Sequence, residues 1–324
     1  MSGWTGHGGL RTAAWRSCSR GGVVTLTTVT TQWSVGRLGN LGGTRIIVTG
    51  ATNGVGLGTA AALARAGAQV ILAVRNLELG AQRAAEMGGD TTVIKLDLAD
   101  QASVRAFPDL FDGDVDILIN NAGVVTAQRT ETVDGFETTL GTNFLGPFAL
   151  TNLLFPRVRS QIINVGSDAH KTATIAFDDP HLRTRKWSAL SAYGRSKLAV
   201  MLWGLELDRR LRAAGSPVRS YLTHPGWVAS NLSNVSDRGA LAAFHTVVRA
   251  AAGKLANDID AGAAPTLYCI TEPIPPGSYV GIDSRLGLKG GPTLSGRAAG
   301  ACDYEDAARL WEFAERETGT TLPV

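Results

Sequence analysis

Thr49-Gly50-Ala51-Thr52-Asn53-Gly54-Val55-Gly56 stands between an apolar, β-branched run, Arg45–Thr49, and a helical pattern over Val55–Ala66. Its glycines are spaced Gly-x-x-x-Gly-x-Gly. A strand that turns this sharply into a helix makes a cradle for phosphate. Missing side chains let the backbone approach a pyrophosphate, and the helix N-terminus offers free N–H groups and a partial positive charge. Alone, a glycine-rich turn is as readily a structural turn as a nucleotide site; its position between strand and helix favours the nucleotide. Gly50, Thr52, Asn53, Gly54, Val55 and Gly56 are therefore candidate cofactor contacts.

Outward from this turn the same rhythm repeats. Strand patterns at Gln69–Val74, Thr91–Leu96, Val115–Asn120, Gln161–Val165, Val218–Thr223 and Ser278–Ile282 alternate with helical patterns. The helical patterns end near Met87, span Phe136–Phe155 and Ala192–Ala214, and recur near Ala261–Thr271 and Tyr304–Glu317. Alternation of this kind predicts an α/β fold: a single Rossmann-type, doubly wound parallel sheet of about seven strands with helices on both faces. No linker divides the elements, so residues 44–324 read as one domain.

The end of the second strand, Val74-Arg75-Asn76, discriminates the cofactor's ribose. A carboxylate there accepts from a 2′-OH, whereas a cation pairs with a 2′-phosphate. No acidic residue precedes Glu78, so NADP(H) is preferred, with NAD(H) as the alternative, and Arg75 and Asn76 join the candidate contacts. Arg75 could instead be a solvated arginine. Asp97, followed by Leu98, ends the third strand, where a carboxylate can accept from an adenine amino group. Asn121-Ala122-Gly123 closes the fourth strand. Each of these, alone, is also an ordinary strand-end turn.

Tyr193 and Lys197 lie four residues apart in a helical pattern, which puts them on one face. A lysine ammonium beside a phenol favours the phenolate and brings the hydroxyl toward useful acidity. By itself this spacing is more often that of an incidental surface pair. Ser167, however, follows the buried-looking strand Ile162-Ile163-Asn164-Val165, and functional groups gather beyond the carboxyl ends of parallel strands. Asn143 lies inside a long helical pattern followed by Gly146 and Pro147, which predicts a local break and an amide able to bond water or backbone; it could also be a kink residue only.

Together these residues resemble the short-chain dehydrogenase/reductase superfamily in its classical form: Thr49-Gly50, Gly54, Gly56, Asn121-Ala122-Gly123, Asn143, Ser167, Tyr193, Lys197 and Pro225-Gly226. The match runs from Thr44 to about Ser230. Asp134-Gly135-Phe136-Glu137, His224-Pro225-Gly226 and the closing Leu310-Trp311 are similar to retinol-dehydrogenase-like and related bacterial members. The resemblance implies that Ser167 holds and polarises a carbonyl and that Tyr193 exchanges the proton. Lys197 would also bind the nicotinamide ribose, and Asn143 would position a relay water. Pro225, Gly226, Val228 and Ser230 would contact the cofactor, Ser230 standing where a threonine is common. The implied reaction interconverts an alcohol and a carbonyl with NADP(H). Reduction of a carbon–carbon double bond and a non-catalytic nucleotide-binding regulator are the alternatives. In relatives, the region matching residues 227–259 covers the substrate. Its mixture of Trp227, Leu232, Leu241 and Phe244 with small and polar residues reads as a lid over an apolar substrate, or as helices packed into the core.

Composition agrees with a globular enzyme. Hydrophobic residues make up 44% and charged residues 18% of the 324, enough to bury a large core, and the formal charge of +3 implies no nucleic-acid surface. The longest apolar runs are too short for a transmembrane segment. Cys18, Cys269 and Cys302 have no metal-ligand spacing, and three is an odd set for disulfides. They read as the thiols of a reducing, cytoplasmic setting. His170, His181 and His224 are not spaced as metal ligands. Residues 1–43 are Gly-, Thr- and Arg-rich and acid-free, and are expected to be a poorly ordered extension; a transit peptide, or a natural start nearer Val29 or Val35, are the other readings. A homo-oligomer is expected only by analogy with relatives that pair through their long helices.

Overall fold

The strands read from the sequence are nearly uniformly apolar, because helices cover both of their faces. The computed structural model describes residues 33–226, 259–283 and 290–324, with the backbone of 11–16 and 23–28. Strands β1 (Arg11–Arg16) and β2 (Val23–Thr28) pair antiparallel as a separate ribbon. The main sheet comprises β3 (Arg45–Thr49), β4 (Gln69–Val74), β5 (Thr91–Lys95), β6 (Val115–Asn120), β7 (Val158–Val165), β8 (Arg219–Thr223), β9 (Tyr279–Ile282) and β10 (Pro292–Leu294). Their order is β10-β9-β8-β7-β6-β3-β4-β5. All neighbours are parallel except the antiparallel pair β9–β10. The sheet therefore has eight strands rather than about seven. The extra one, β10, has only three residues at the edge, too few to show alternation in the sequence.

Strand order reverses between β3 and β6, so the loops beyond their carboxyl ends splay apart and leave a crevice. Helices α1 (Gly54–Arg65), α2 (Leu77–Met87), α3 (Gln101–Ala106), α4 (Thr138–Leu140), α5 (Gly146–Leu154), α6 (Ala189–Ala213), α7 (Ile259–Thr271) and α8 (Tyr304–Thr318) flank the sheet. One core lies between the sheet and α5, α6 and α8, and includes Phe144, Phe148, Trp203, Leu310 and Trp311. A second lies between the opposite face and α1 and α7, and includes Leu63, Ala263 and Leu267. Close packing of α7 on α1 depends on Gly58, where a Cβ would run into Ile259. No helix among the described residues is long and apolar enough to cross a membrane.

The expectation that all of residues 1–43 would be poorly ordered is corrected at its C-terminal end. Trp33 and Leu38 are buried in the second core. The Trp33 indole donates to Thr271 Oγ1 at 3.3 Å, and the Leu41 amide donates to the Ala66 carbonyl at 2.7 Å. Apolar residues scattered among glycines carry no period; only the groove beside α7 gives them a partner.

The closing helix α8 is capped by Asp303, whose side chain accepts from Glu305 and Asp306. Its Trp311 ring meets Phe148 edge-on at 5.0 Å, lies 4.4 Å from the Arg210 guanidinium and donates to Glu315. Trp311→Ala is expected to lose about 3–5 kcal/mol, as emptied aromatic core sites do, measured as a lower urea midpoint. A loss under about 1 kcal/mol would mean that α8 is not part of the cooperative core.

Candidate active site

At the β3/β6 switch point, the turn between β3 and α1 packs directly on the turn after β6. Thr49 Oγ1 accepts from the amides of Asn121 and Ala122 at 3.0 Å each. The Asn121 side-chain amide donates back to the Thr49 carbonyl at 2.8 Å. A Cβ on Gly50 would lie 2.9 Å from the Ala122 Cα, and one on Gly56 would collide with the Asn121 side chain and the Gly50 carbonyl. Gly50 and Gly54 also have φ of +67° and +53°, the left-handed region that favours glycine. Three glycines thus serve packing and backbone shape together. Asn53, the N-cap residue of α1, makes no side-chain capping bond, so the first-turn N–H groups are left for another acceptor.

Above this turn lies a cleft of about 710 Å³, within the range of small-molecule sites. It brings together Gly50, Thr52, Asn53, Gly54, Val55 and Gly56, then Arg75, Asn76, Asp97 and Leu98, then Asn121, Ala122 and Gly123, and finally Tyr193, Lys197 and Pro225. Sixteen separately read positions converge there because each follows the carboxyl end of a strand or, for Tyr193 and Lys197, begins the long helix beside it. Val228, Ser230 and the expected lid lie outside the described residues, save Ile259, which begins α7. Gly226 and Asn143 are adjacent to the cleft through bonds described below.

At one end, Asn76 caps α2 by accepting from the Leu79 amide at 3.0 Å. The backbone of Arg75 is tied by Lys95 Nζ, which donates to its carbonyl at 2.6 Å. Lys95 was not singled out from the sequence, although its position two residues before Asp97 at the end of β5 was a usable signal. Neither Arg75 nor Lys95 has an ion-pair partner among the described residues. Asp97 accepts from the Ala99 amide at 3.0 Å. Leu98 packs against Gly146, where a Cβ would strike its carbonyl.

The other end is built on α6, which Ser188 caps by accepting from Ser191. Tyr193 and Lys197 occupy successive turns. The Lys197 ammonium is buried, donates to the Val165 carbonyl at 2.8 Å and lies 5.8 Å from the centre of the Tyr193 ring. Burial lowers its pKa to about 8. The Tyr193 hydroxyl is governed by burial, which pushes its pKa up, and by a hydrogen bond with Ser167, which pulls it down. The expected lowering of the phenol by the lysine is not the leading effect here, because the ammonium faces the ring and is held on the Val165 carbonyl. Ser167 Oγ also accepts from the Ala169 amide at 3.2 Å.

Asn143 lies in a π-helical turn, Gly141–Leu145, between α4 and α5, which is the local break expected before Pro147. Pro147 has no N–H to return to the Asn143 carbonyl. The Asn143 side chain is not free: Oδ1 accepts from the Val124 amide at 2.7 Å, and Nδ2 donates to the Val124 carbonyl and Ser196 Oγ, each at 3.0 Å. The residue therefore clamps the strand-end loop onto α6. Val124 and Ser196 were missed in the sequence because nothing marks a backbone partner or a small buried hydroxyl.

A model of the short chain dehydrogenase family matches residues 44–240. Human retinol dehydrogenase 13 is 37% identical over 294 residues, covering 87% of this chain and 86% of its own. Mouse polyprenol dehydrogenase is 44% identical over 202 residues, covering 57% of this chain and 60% of its own. Among solved structures, a protein from Mycobacterium Paratuberculosis superposes with a TM-score of 0.79 at 40% identity, covering 91% of this chain and 100% of that one. The Pseudomonas aeruginosa RhlG/NADP complex superposes with a TM-score of 0.61 at 25% identity, covering 77% and 98%. A family match that spans every residue lining the cleft, joined to a relative aligned over most of both chains, establishes that the protein belongs to the short-chain dehydrogenase/reductase family of oxidoreductases.

Proposed function

We propose that the protein interconverts an apolar alcohol and its aldehyde or ketone with NADP(H) as the preferred cofactor. The observation that carries this reading is the two-ended cleft. A phenol hydrogen-bonded to a serine, beside a buried ammonium, stands at one end, and two cations without ion-pair partners among the described residues stand at the other. The uncapped start of α1 and the glycine turn suit a pyrophosphate between those ends. Arg75 suits a 2′-phosphate. The relatives named above are called dehydrogenases of retinol and polyprenol, both apolar alcohols, which supports an apolar substrate class.

Bound in this cleft, the nicotinamide would supply or accept the hydride. In the reducing direction, Ser167 Oγ holds the substrate oxygen and Tyr193, protonated at neutral pH in the free enzyme, donates to it. Lys197 keeps a positive charge next to the phenol as it gives up its proton, and its bond to Val165 fixes where that charge lies. Asn143 is assigned the positioning of Val124 and α6.

Purified enzyme assayed with NADPH against a panel of apolar aldehydes and ketones should turn over at least one; NADPH binding without turnover across the panel would sink the proposal. Tyr193→Phe is expected to lower kcat by about 10²–10⁴, the usual contribution of a positioned acid or base, while cofactor binding measured by fluorescence persists. Lys197 is charged below its pKa of about 8 and neutral above it, so kcat/KM for reduction should fall as pH rises through that value; a profile flat to pH values well above it would contradict the role. Arg75→Asp should raise the NADPH KM by about 10- to 100-fold, the loss of one or two charge-assisted bonds, and improve NADH. Equal loss with both cofactors would remove Arg75 from the 2′-phosphate site.

A further inference from the structure

Behind Ser167 lies a group of ionisable side chains, buried at His224 and Tyr279 and reaching the surface at Asp168 and Lys171, that the chemistry above does not use. His224 follows β8, and its amide donates to the Val280 carbonyl of β9 at 2.9 Å, so the residue is held in sheet register. Its ring is buried. Nδ1 accepts from the Gly226 amide at 3.1 Å, and Nε2 lies 3.7 Å from Asp168 Oδ1. An acceptor at Nδ1 means that the neutral ring carries its proton on Nε2, toward the carboxylate. Asp168, next to Ser167, also accepts from the Tyr279 hydroxyl at 3.3 Å and pairs with Lys171 at 2.9 Å. One imidazole thus stands between the segment bearing Ser167, which it faces, and the Pro225-Gly226 turn, which it bonds and whose proline lines the cleft.

The neighbouring strand is shaped to admit this ring. A Cβ on Gly281 would fall far inside van der Waals contact with His224 Nε2, and Gly281 is not among the glycines of positive φ. The glycine is needed for space, not for backbone freedom. Gly226, at the far end of the bond, has φ of +68°, a left-handed turn whose amide direction the imidazole acceptor fixes.

We propose that His224 is a positioning residue for cofactor binding: by accepting the Gly226 amide while facing Asp168, it holds the Pro225-Gly226 turn against the nicotinamide end of the cleft in register with Ser167. This rests on the reading that a nicotinamide cofactor occupies the cleft. The bond exists only while the ring is neutral. Burial is the leading influence on His224 and lowers its pKa below the ordinary 6.5; Asp168 opposes this, and Lys171 and His170 add to it. The Tyr279 ring, 5.3 Å away, is the other titratable group facing it. The turn is therefore held at neutral pH and released on acidification.

The test uses the full-length enzyme and compares His224→Asn, whose Oδ1 can stand where Nδ1 stood, with His224→Leu, which has no acceptor. His224→Leu should raise the KM for NADPH about tenfold, as expected for an orphaned, half-buried amide, with kcat changed much less. His224→Asn should stay near the wild-type KM. In the wild type the cofactor KM should rise as pH is lowered below 6.5, and in His224→Asn it should not. If His224→Leu does not fold, Gly281→Ala, which crowds the ring, should raise the cofactor KM in its place. Equal KM increases in the Asn and Leu variants, or an unchanged KM in the Leu variant, would overturn the proposal. Failure of the wild type to bind either NADPH or NADH would instead overturn the proposed function.

Discussion

The Thr49 hydroxyl accepts two amides from the turn after β6, while the Asn121 amide reaches back to the carbonyl of Thr49 itself. That reciprocal lock closes the β3/β6 switch point, and the rest of the site is laid out from it. It requires that two backbone turns approach so closely that Gly50 and Gly56 can carry no Cβ. The helix that leaves the first turn then presents its uncapped end to the cleft, and the loop that leaves the second runs to Val124, where Asn143 grips it. The geometry of both ends of the cleft follows from the same contact.

The Tyr193 end of the cleft shows how burial and hydrogen bonding divide the electrostatic work. Removing Lys197 from water lowers its pKa, yet the Val165 carbonyl gives the ammonium a partner and a fixed place. Burial raises Tyr193 while Ser167 moderates it. The phenol is thereby a protonated donor in the free enzyme. The state of that phenol is set by groups brought close together, not by the spacing of two letters in a helix. Asn143 illustrates a related point: Gly146 packs on the Leu98 carbonyl, Pro147 removes an amide, and the π turn just before them carries Asn143, whose side chain bonds Val124.

The sheet's alternation, the strand-end placement of Ser167, the break before Pro147 and the convergence of Arg75, Asp97 and Asn121 were all legible in the sequence, because each depends on local periodicity or on a residue type placed at a strand end. The eighth strand, the docking of Trp33 and Leu38, and the roles of Val124 and Ser196 were not. These depend on contacts between residues far apart in the chain: Trp33 with Thr271, Asn143 with Ser196, and a three-residue edge strand with β9.

Local pattern alone determined that this chain would make a doubly wound sheet with a nucleotide cradle, since hydrophobic period and glycine spacing act within a few residues of one another. Tertiary structure decided what each candidate side chain would do. It turned Asn76 into a helix cap, put Lys197 on a carbonyl, drew Lys95 to Arg75 and set His224 on the Gly226 amide, facing Asp168. A hydrogen bond is fixed by distance and direction in space, and those come into being only when separate strands are brought side by side.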